Sequence, residues 1–287
     1  MATIIRVMVL ALTVVFTSVN AQDFQGVATY KTQRKIDIKM DSTKMNSDMQ
    51  SKMMEMMKKQ FQKTYILNFN KEASVYKQEE SLAKPQVGGD GFQVMFSGSG
   101  GDDALYKNTK EKRYVSQKDA MGKIFLIKDA VETIAWQLES DTKYIGEYQC
   151  YKATYVKQVP VMKGFSFSNA KSDNEKEEKE AEEPEMEDRI VTAWYTPQVP
   201  VSNGPGMYQG LPGLILEIHD GKLTIVCSKI VLNPEEKVDI EEPSKGKEVN
   251  QKEYDDIMEK KSKEMMERYA PKKGDRNGEG FSITIGG

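Results

Sequence analysis

The chain has one histidine and two cysteines, so covalent, acid–base or transition-metal chemistry would fall first to His219, Cys150 and Cys227. A lone histidine leaves no multi-histidine metal centre, and no Gly-x-Ser-x-Gly elbow is present to supply a nucleophile. His219 precedes the turn-forming pair Asp220-Gly221, so it reads as a solvated strand end. The acid pairs Glu235-Glu236 and Asp255-Asp256 are adjacent in sequence and point apart on a strand or a helix. Glycoside chemistry needs two carboxyl groups converging at a set separation. Seventeen methionines are the other unusual feature. Met49, Met53 and Met57 stand at four-residue steps, and thioethers are soft ligands suited to Cu(I). The same spacing is what a helix covering a sheet requires, and methionine adapts well to irregular apolar surfaces. No catalytic residue, metal site or cofactor is expected, and the chain reads as a non-enzyme.

The elements around these residues follow from periodicity. Residues 24–38 suit an opening strand with one wet face. Met45, Met49, Met53, Met56, Met57 and Phe61 then fall on one face of an amphipathic helix. Residues 64–69 and 73–78 are short strands joined through Asn70-Lys71. The glycines of 85–101 surround one apolar patch but lack the Gly-Lys-Ser/Thr ending of a phosphate loop, so this stretch reads as a flexible insertion. Strand patterns resume at 124–127, 134–136 and 144–155. In the last of these, Tyr151, Ala153 and Tyr155 share a face.

Residues 171–189 are almost uninterrupted charge and read as a solvated surface insertion. Residues 214–219 and 222–231 flank Asp220-Gly221, a pair favoured in type I′ turns. A two-residue loop there sets Ile218 against Leu223, Leu216 against Ile225 and Leu214 against Cys227, with all six on one buried face. Residues 253–269 form a helix, a linker follows, and 281–285 is a last strand.

Residues 1–21 have one early cation, Arg6, a short apolar run and a small-residue ending, the pattern of a cleavable secretory signal. The run is about ten residues, short of the roughly 20 that a membrane-spanning helix needs. The expected mature chain starts at Gln22, has no transmembrane segment and carries no acyl anchor, since no cysteine follows the cleavage point. The whole chain carries a formal charge of −3, which gives no basic excess to attract nucleic acid. An exported protein meets an oxidising compartment, so Cys150 and Cys227 are compatible with a bridge and equally with two buried thiols on separate strands.

The run Gly210-Leu211-Pro212-Gly213-Leu214-Ile215 resembles the hallmark of the GLPGLI family, secreted proteins of Bacteroidetes-type bacteria. The resemblance extends upstream through Gly146-Glu147-Tyr148-Gln149-Cys150-Tyr151-Lys152-Ala153, Ala193-Trp194-Tyr195, Gly204-Pro205 and Tyr208-Gln209. The family has no assigned biochemical activity. The resemblance therefore implies export and a β-rich fold, and it transfers no catalytic or binding residue. Physically, Pro212 lacks an N–H and belongs at a strand entrance, with Gly210 and Gly213 permitting the bend, which makes the motif architectural.

The expected class is mainly β within α+β: a curved antiparallel sheet or incomplete β-barrel covered by the Met-rich helix, resembling the half-barrels of periplasmic lipoprotein carriers. The expected organisation is a signal at 1–21, a β-rich domain at 22–240 with insertions at 85–101 and 171–189, and a helical and linker extension at 241–287. The function expected is a non-catalytic envelope protein, periplasmic, outer-membrane-associated or extracellular, that binds a hydrophobic ligand or a partner protein. Met49, Met53, Met57, Phe61, Trp136 and Trp194 are its candidate lining. Cu(I) capture by the Met-rich helix and a hydrolase of unknown specificity are the alternatives.

Overall fold

A computed structural model describes residues 24–35, 62–79, 103–120, 122–160 and 185–269. The signal segment, the methionine stripe including Phe61, the glycine-rich insertion, most of the charged insertion and residues 281–285 lie outside the described residues.

Twelve strands form one sheet: β1 (Gln25–Arg34), β2 (Gln62–Asn70), β3 (Ala73–Gln78), β4 (Ala104–Asn108), β5 (Arg113–Ala120), β6 (Lys123–Ala130), β7 (Gln137–Ile145), β8 (Tyr148–Pro160), β9 (Met186–Thr196), β10 (Leu214–Asp220), β11 (Leu223–Leu232) and β12 (Lys247–Val249). Their spatial order is β12-β6-β5-β4-β3-β2-β1-β11-β10-β9-β8-β7. Every neighbour is antiparallel except β12, which runs parallel to β6. The first described strand, β1, lies in the middle of the sheet; the strands then step outward to β6, cross to the far edge at β7 and step back to β1.

That crossing fixes the overall shape. Residues 131–136 are the whole link between β6 and β7, and so few residues span roughly 25 Å at full extension. Ten strand spacings separate the two strands, which in a flat sheet is roughly 48 Å. The sheet must therefore curl strongly, and it remains open, as a curved sheet rather than a closed barrel. The expected strand at 134–136 is instead this link. The true edge strand, β7, escapes a hydrophobic reading because its sequence QLESDTKYI is polar and mostly exposed. A turn at Gly146-Glu147 also divides the expected strand at 144–155, with Ile145 paired to Tyr148 and Gly146 at φ 59°.

Following the register across the strands, one face runs from Tyr114, Lys107 and Ser74 through Leu67, Tyr30 and Ile225 to Ile218, Ala193 and Ala153. Tyr30, Leu67, Phe69, Ala153, Ala193 and Ile218 are fully buried there. The alternation expected of Tyr151, Ala153 and Tyr155 holds, since Tyr151 opposes Tyr195 and Ala153 opposes Ala193. At the other end, α1 (Gln251–Tyr269) packs Tyr254, Ile257 and Met258 onto Tyr114, Phe125 and Ile127. Its start is a reciprocal cap: Glu253 N–H donates to Asn250 Oδ1 at 2.8 Å, and Asn250 N–H donates to Glu253 Oε2 at 3.0 Å.

The β10–β11 hairpin forms with a register two residues away from the expected one. Asp220 pairs with Leu223, Ile218 with Ile225 and Glu217 with Val226, so the loop is Gly221-Lys222. Gly221 has φ 58° while Lys222 is not in the left-handed region, the pattern of a type II′ turn with glycine first. A slip of two preserves which residues share a face. It also returns Asp220 to the strand, where its carboxylate is buried. A second departure is the irregularity between Ile215 and Glu217 against β9, after which Leu214 to Ile218 are all buried. The start of β10 is thus covered on both sides, and single-face alternation does not apply to it.

Candidate functional site

The concave face is closed by residues 197–213, a strap that leaves β9, lies inside the curved sheet and re-enters as β10. Local chemistry builds it. Val199, Val201 and Leu211 bury their side chains in the main core. Leu214 N–H donates to Val199 O at 3.0 Å, and Ile215 N–H donates to Asn203 O at 3.0 Å. Gly213 is required by contact rather than by flexibility, because a Cβ there would lie 2.2 Å from Thr196 O. The hexapeptide thus behaves as architecture: Leu211 is buried, Pro212 is exposed at the entrance, and Leu214 and Ile215 begin β10 in the core.

Three side chains hold the strap across the sheet. Lys107 of β4 is wholly buried, and its Nζ donates to Gly204 O at 3.0 Å and Tyr208 O at 3.2 Å. Burial alone pulls this amine down to about 7. Opposite it on β3, the buried Ser74 Oγ has no hydrogen-bond partner. On the other side, the Tyr208 hydroxyl donates to Asp220 Oδ2 at 2.6 Å, and Lys157 Nζ binds the same oxygen. Arg189 NH1 stands 3.9 Å from Asp220 Oδ1, which accepts no hydrogen bond. Burial and the bond to Asp220 hold the Tyr208 phenol well above its ordinary value. Finally, the Trp136 indole donates to Gln209 O at 2.8 Å and packs edge-on against Tyr155. Sequence reading missed Lys107 and misplaced Asp220. A lysine inside the alternating segment ALYKN was the only available signal for the first.

The convex face carries different chemistry. Lys143 Nζ pairs with Glu217 Oε1 at 2.7 Å and lies 4.4 Å from the centre of the Trp194 ring. His219 also contacts Glu217 and is exposed, with Thr224 Oγ1 3.3 Å from its Nδ1. This agrees with its expected place at a wet strand end. Farther along β8 and β9, Val156 opposes Ile190, and Pro160 opposes Met186. Val156 is 55% exposed, Ile190 65% and Met186 52%.

Of the candidate lining, Trp136 and Trp194 lie on opposite faces of the sheet, and the structure does not bring them together. Met49, Met53, Met57 and Phe61 are outside the described residues. Cys150 and Cys227 are free thiols, so the bridge that compartment logic left open is not formed. They sit on β8 and β11, with β9 and β10 between those strands in the sheet. Burial raises Cys150 to about 11 and Cys227 to about 12, which keeps both as protonated thiols at neutral pH. Among the described residues no group of three or more His, Cys, Asp or Glu is placed to hold a metal ion, and no helix is long and apolar enough to cross a membrane.

Residues 136–217 match the family model described as a protein of unknown function (Porph_ging). The match begins at Trp136 and ends at Glu217, so it takes in β7, β8, β9, the strap and the start of β10. No curated protein matches the chain. Two solved structures of PNGF-II, in space groups C2 and P21, are similar with a TM-score of 0.47 each. Identity is 13% and 14%, over 83% and 82% of this chain. The chain spans 33% of the length of either of those structures.

Proposed function

We propose that this chain is an exported envelope protein of the GLPGLI type that works without catalysis, by holding a partner protein on the convex face of β8 and β9. The carrying observation is the exposed apolar pair Val156 and Ile190, continued by Pro160 and Met186 on the same face. Val156 and Ile190 form an exposed apolar pair of the kind that marks protein contact, and Pro160 and Met186 form a second one beyond the hydrogen-bonded Gln158–Asp188 pair. The family part of the proposal draws on the Porph_ging match, whose residues 136–217 contain the whole hexapeptide and every upstream segment that resembles the family. Between the two expected occupants, a partner protein is favoured over a hydrophobic ligand because Tyr30, Leu67, Phe69 and Ile215 already fill the described concave face with no exposed area.

A photo-reactive residue at position 190 tests this in intact cells, with the same probe at the strap's exposed Met207 as a reference. The expected result is one discrete adduct from position 190 that disappears when Val156→Asp is added. Equal adducts from both positions, or none from 190, contradict the proposal.

A further inference from the structure

β7 ends the sheet and, among the described residues, bonds to β8 alone. The opposite edge is finished by the three-residue β12, whereas β7 offers nine residues of strand on its open side. Its Leu138 and Tyr144 are 61% and 73% exposed. They oppose Ala153 and Gln149, so both stand on the side of the sheet that carries Ala153 and Tyr151. Between them the register slips, and Glu139, Ser140 and Asp141 all lie opposite Lys152, whose Nζ reaches Glu139 Oε2 at 2.7 Å and Asp141 Oδ2 at 3.4 Å. Glu139 also accepts from Thr154 Oγ1, and Lys143 lies over Trp194, so these two charges stand on the convex face. Charges and an irregular stretch deter arbitrary strands from an open edge.

Here they also fit one another, because the strand is self-complementary about Asp141. Turned end for end beside itself, β7 sets Gln137 against Ile145, Leu138 against Tyr144 and Glu139 against Lys143, each twice by symmetry. One register therefore pairs apolar with apolar on one face and acid with base on the other, and both kinds of cross-strand neighbour stabilise a ladder. Registers one residue to either side set Leu138 against Lys143 or Glu139 against Tyr144 and lose both. The one unfavourable contact is Asp141 against its own copy, and each of these carboxylates has Lys152 of its own chain beside it.

We propose that two copies of this chain pair antiparallel through β7 about a two-fold axis at Asp141, joining their sheets edge to edge. The occupant is a second copy rather than an unrelated strand because the order of charged and apolar residues matches itself in that register. Both Val156–Ile190 pairs then lie on the same side of the joined sheet, each two strands from the axis. The inference is independent of the assignment of that pair as a partner contact, which monomeric protein would leave intact.

Sedimentation equilibrium of the purified protein over a concentration series reads the association. A dimer is expected that Asp141→Asn tightens roughly threefold, by relieving the like-charge contact, and that Glu139→Lys weakens about tenfold. Adding Lys143→Glu to Glu139→Lys should restore it, because the swapped charges meet only across the two chains. Within one chain they face Lys152 and Glu217, so a merely structural role predicts a further loss. Protein that is monomeric at every concentration, or a double variant that folds and does not recover, overturns the proposal. Asp141→Asn leaves the Lys152–Glu139 bond in place and decides the matter where the double variant fails to fold: no tightening overturns it. A photo-reactive residue in place of Leu138 should give an adduct of twice the chain mass that maps to 142–145. An adduct within one chain, or with a different protein, overturns it as well.

Discussion

The two faces of the curved sheet solve opposite problems. The concave face hides a lysine, an aspartate and a tyrosine hydroxyl beneath a strap. The convex face of β8 and β9 leaves Val156, Ile190 and Met186 open to solvent. Buried polar groups on the first are tolerated because nearly all find hydrogen-bond partners, and the apolar groups on the second find none. Among the described residues, the concave face is filled by the chain itself and the convex face of β8 and β9 is left open.

The largest effect that sharpens this contrast is the pH dependence of stability. Lys107 has its amine lowered from 10.5 to about 7, so between those values the unfolded chain binds a proton that the folded chain does not. Stability then rises with pH across that window and levels off outside it. Relative to Lys107→Met, the unaltered protein should gain about 4 kcal/mol between pH 7 and pH 10.5. Urea melts of both proteins at a series of pH values measure it, and parallel curves break the picture of an uncompensated buried amine.

Gly213→Ala comes next. Its methyl would press on the Thr196 carbonyl, and relief requires moving the strap or β9. A loss of roughly 3 kcal/mol is expected in the same melts. Asp220→Asn removes the charge that Lys157 and Tyr208 share. Lys157 is partly exposed and can turn to water, so the expected loss is smaller, about 2 kcal/mol. On the convex face, Ile190→Ser should alter stability by no more than about 0.5 kcal/mol while abolishing partner capture. A large destabilisation there would place Ile190 in a core and dissolve the distinction between the faces.

How far the sequence reveals these faces depends on the residue. The hexapeptide's architectural role was legible because proline and glycine have specific backbone consequences. The burial of Leu216, Ile218, Ile225 and Cys227 was legible because a two-residue slip does not change faces, whereas Leu223 is only partly buried and the irregularity between Ile215 and Glu217 takes Leu214 off the Ile218 face. The turn itself was misread. Asp-Gly propensity is local, and the pull that keeps Asp220 in the strand comes from Lys157 and Tyr208, 63 and 12 residues away in sequence. Edge strand β7 was invisible for a related reason: with little to bury, its residues carry no alternation. Lys107 looked like any strand lysine, since only the folded strap removes it from water.

Native mass spectrometry of the protein purified from its own envelope tests the central claim, that the interior is self-filled and binding belongs to the convex face. The account predicts the mass of the polypeptide alone, in one copy or two, or of the polypeptide with a second protein that dissociates when Ile190→Ser is introduced. A lipid-sized mass released on unfolding, indifferent to that substitution, would contradict it.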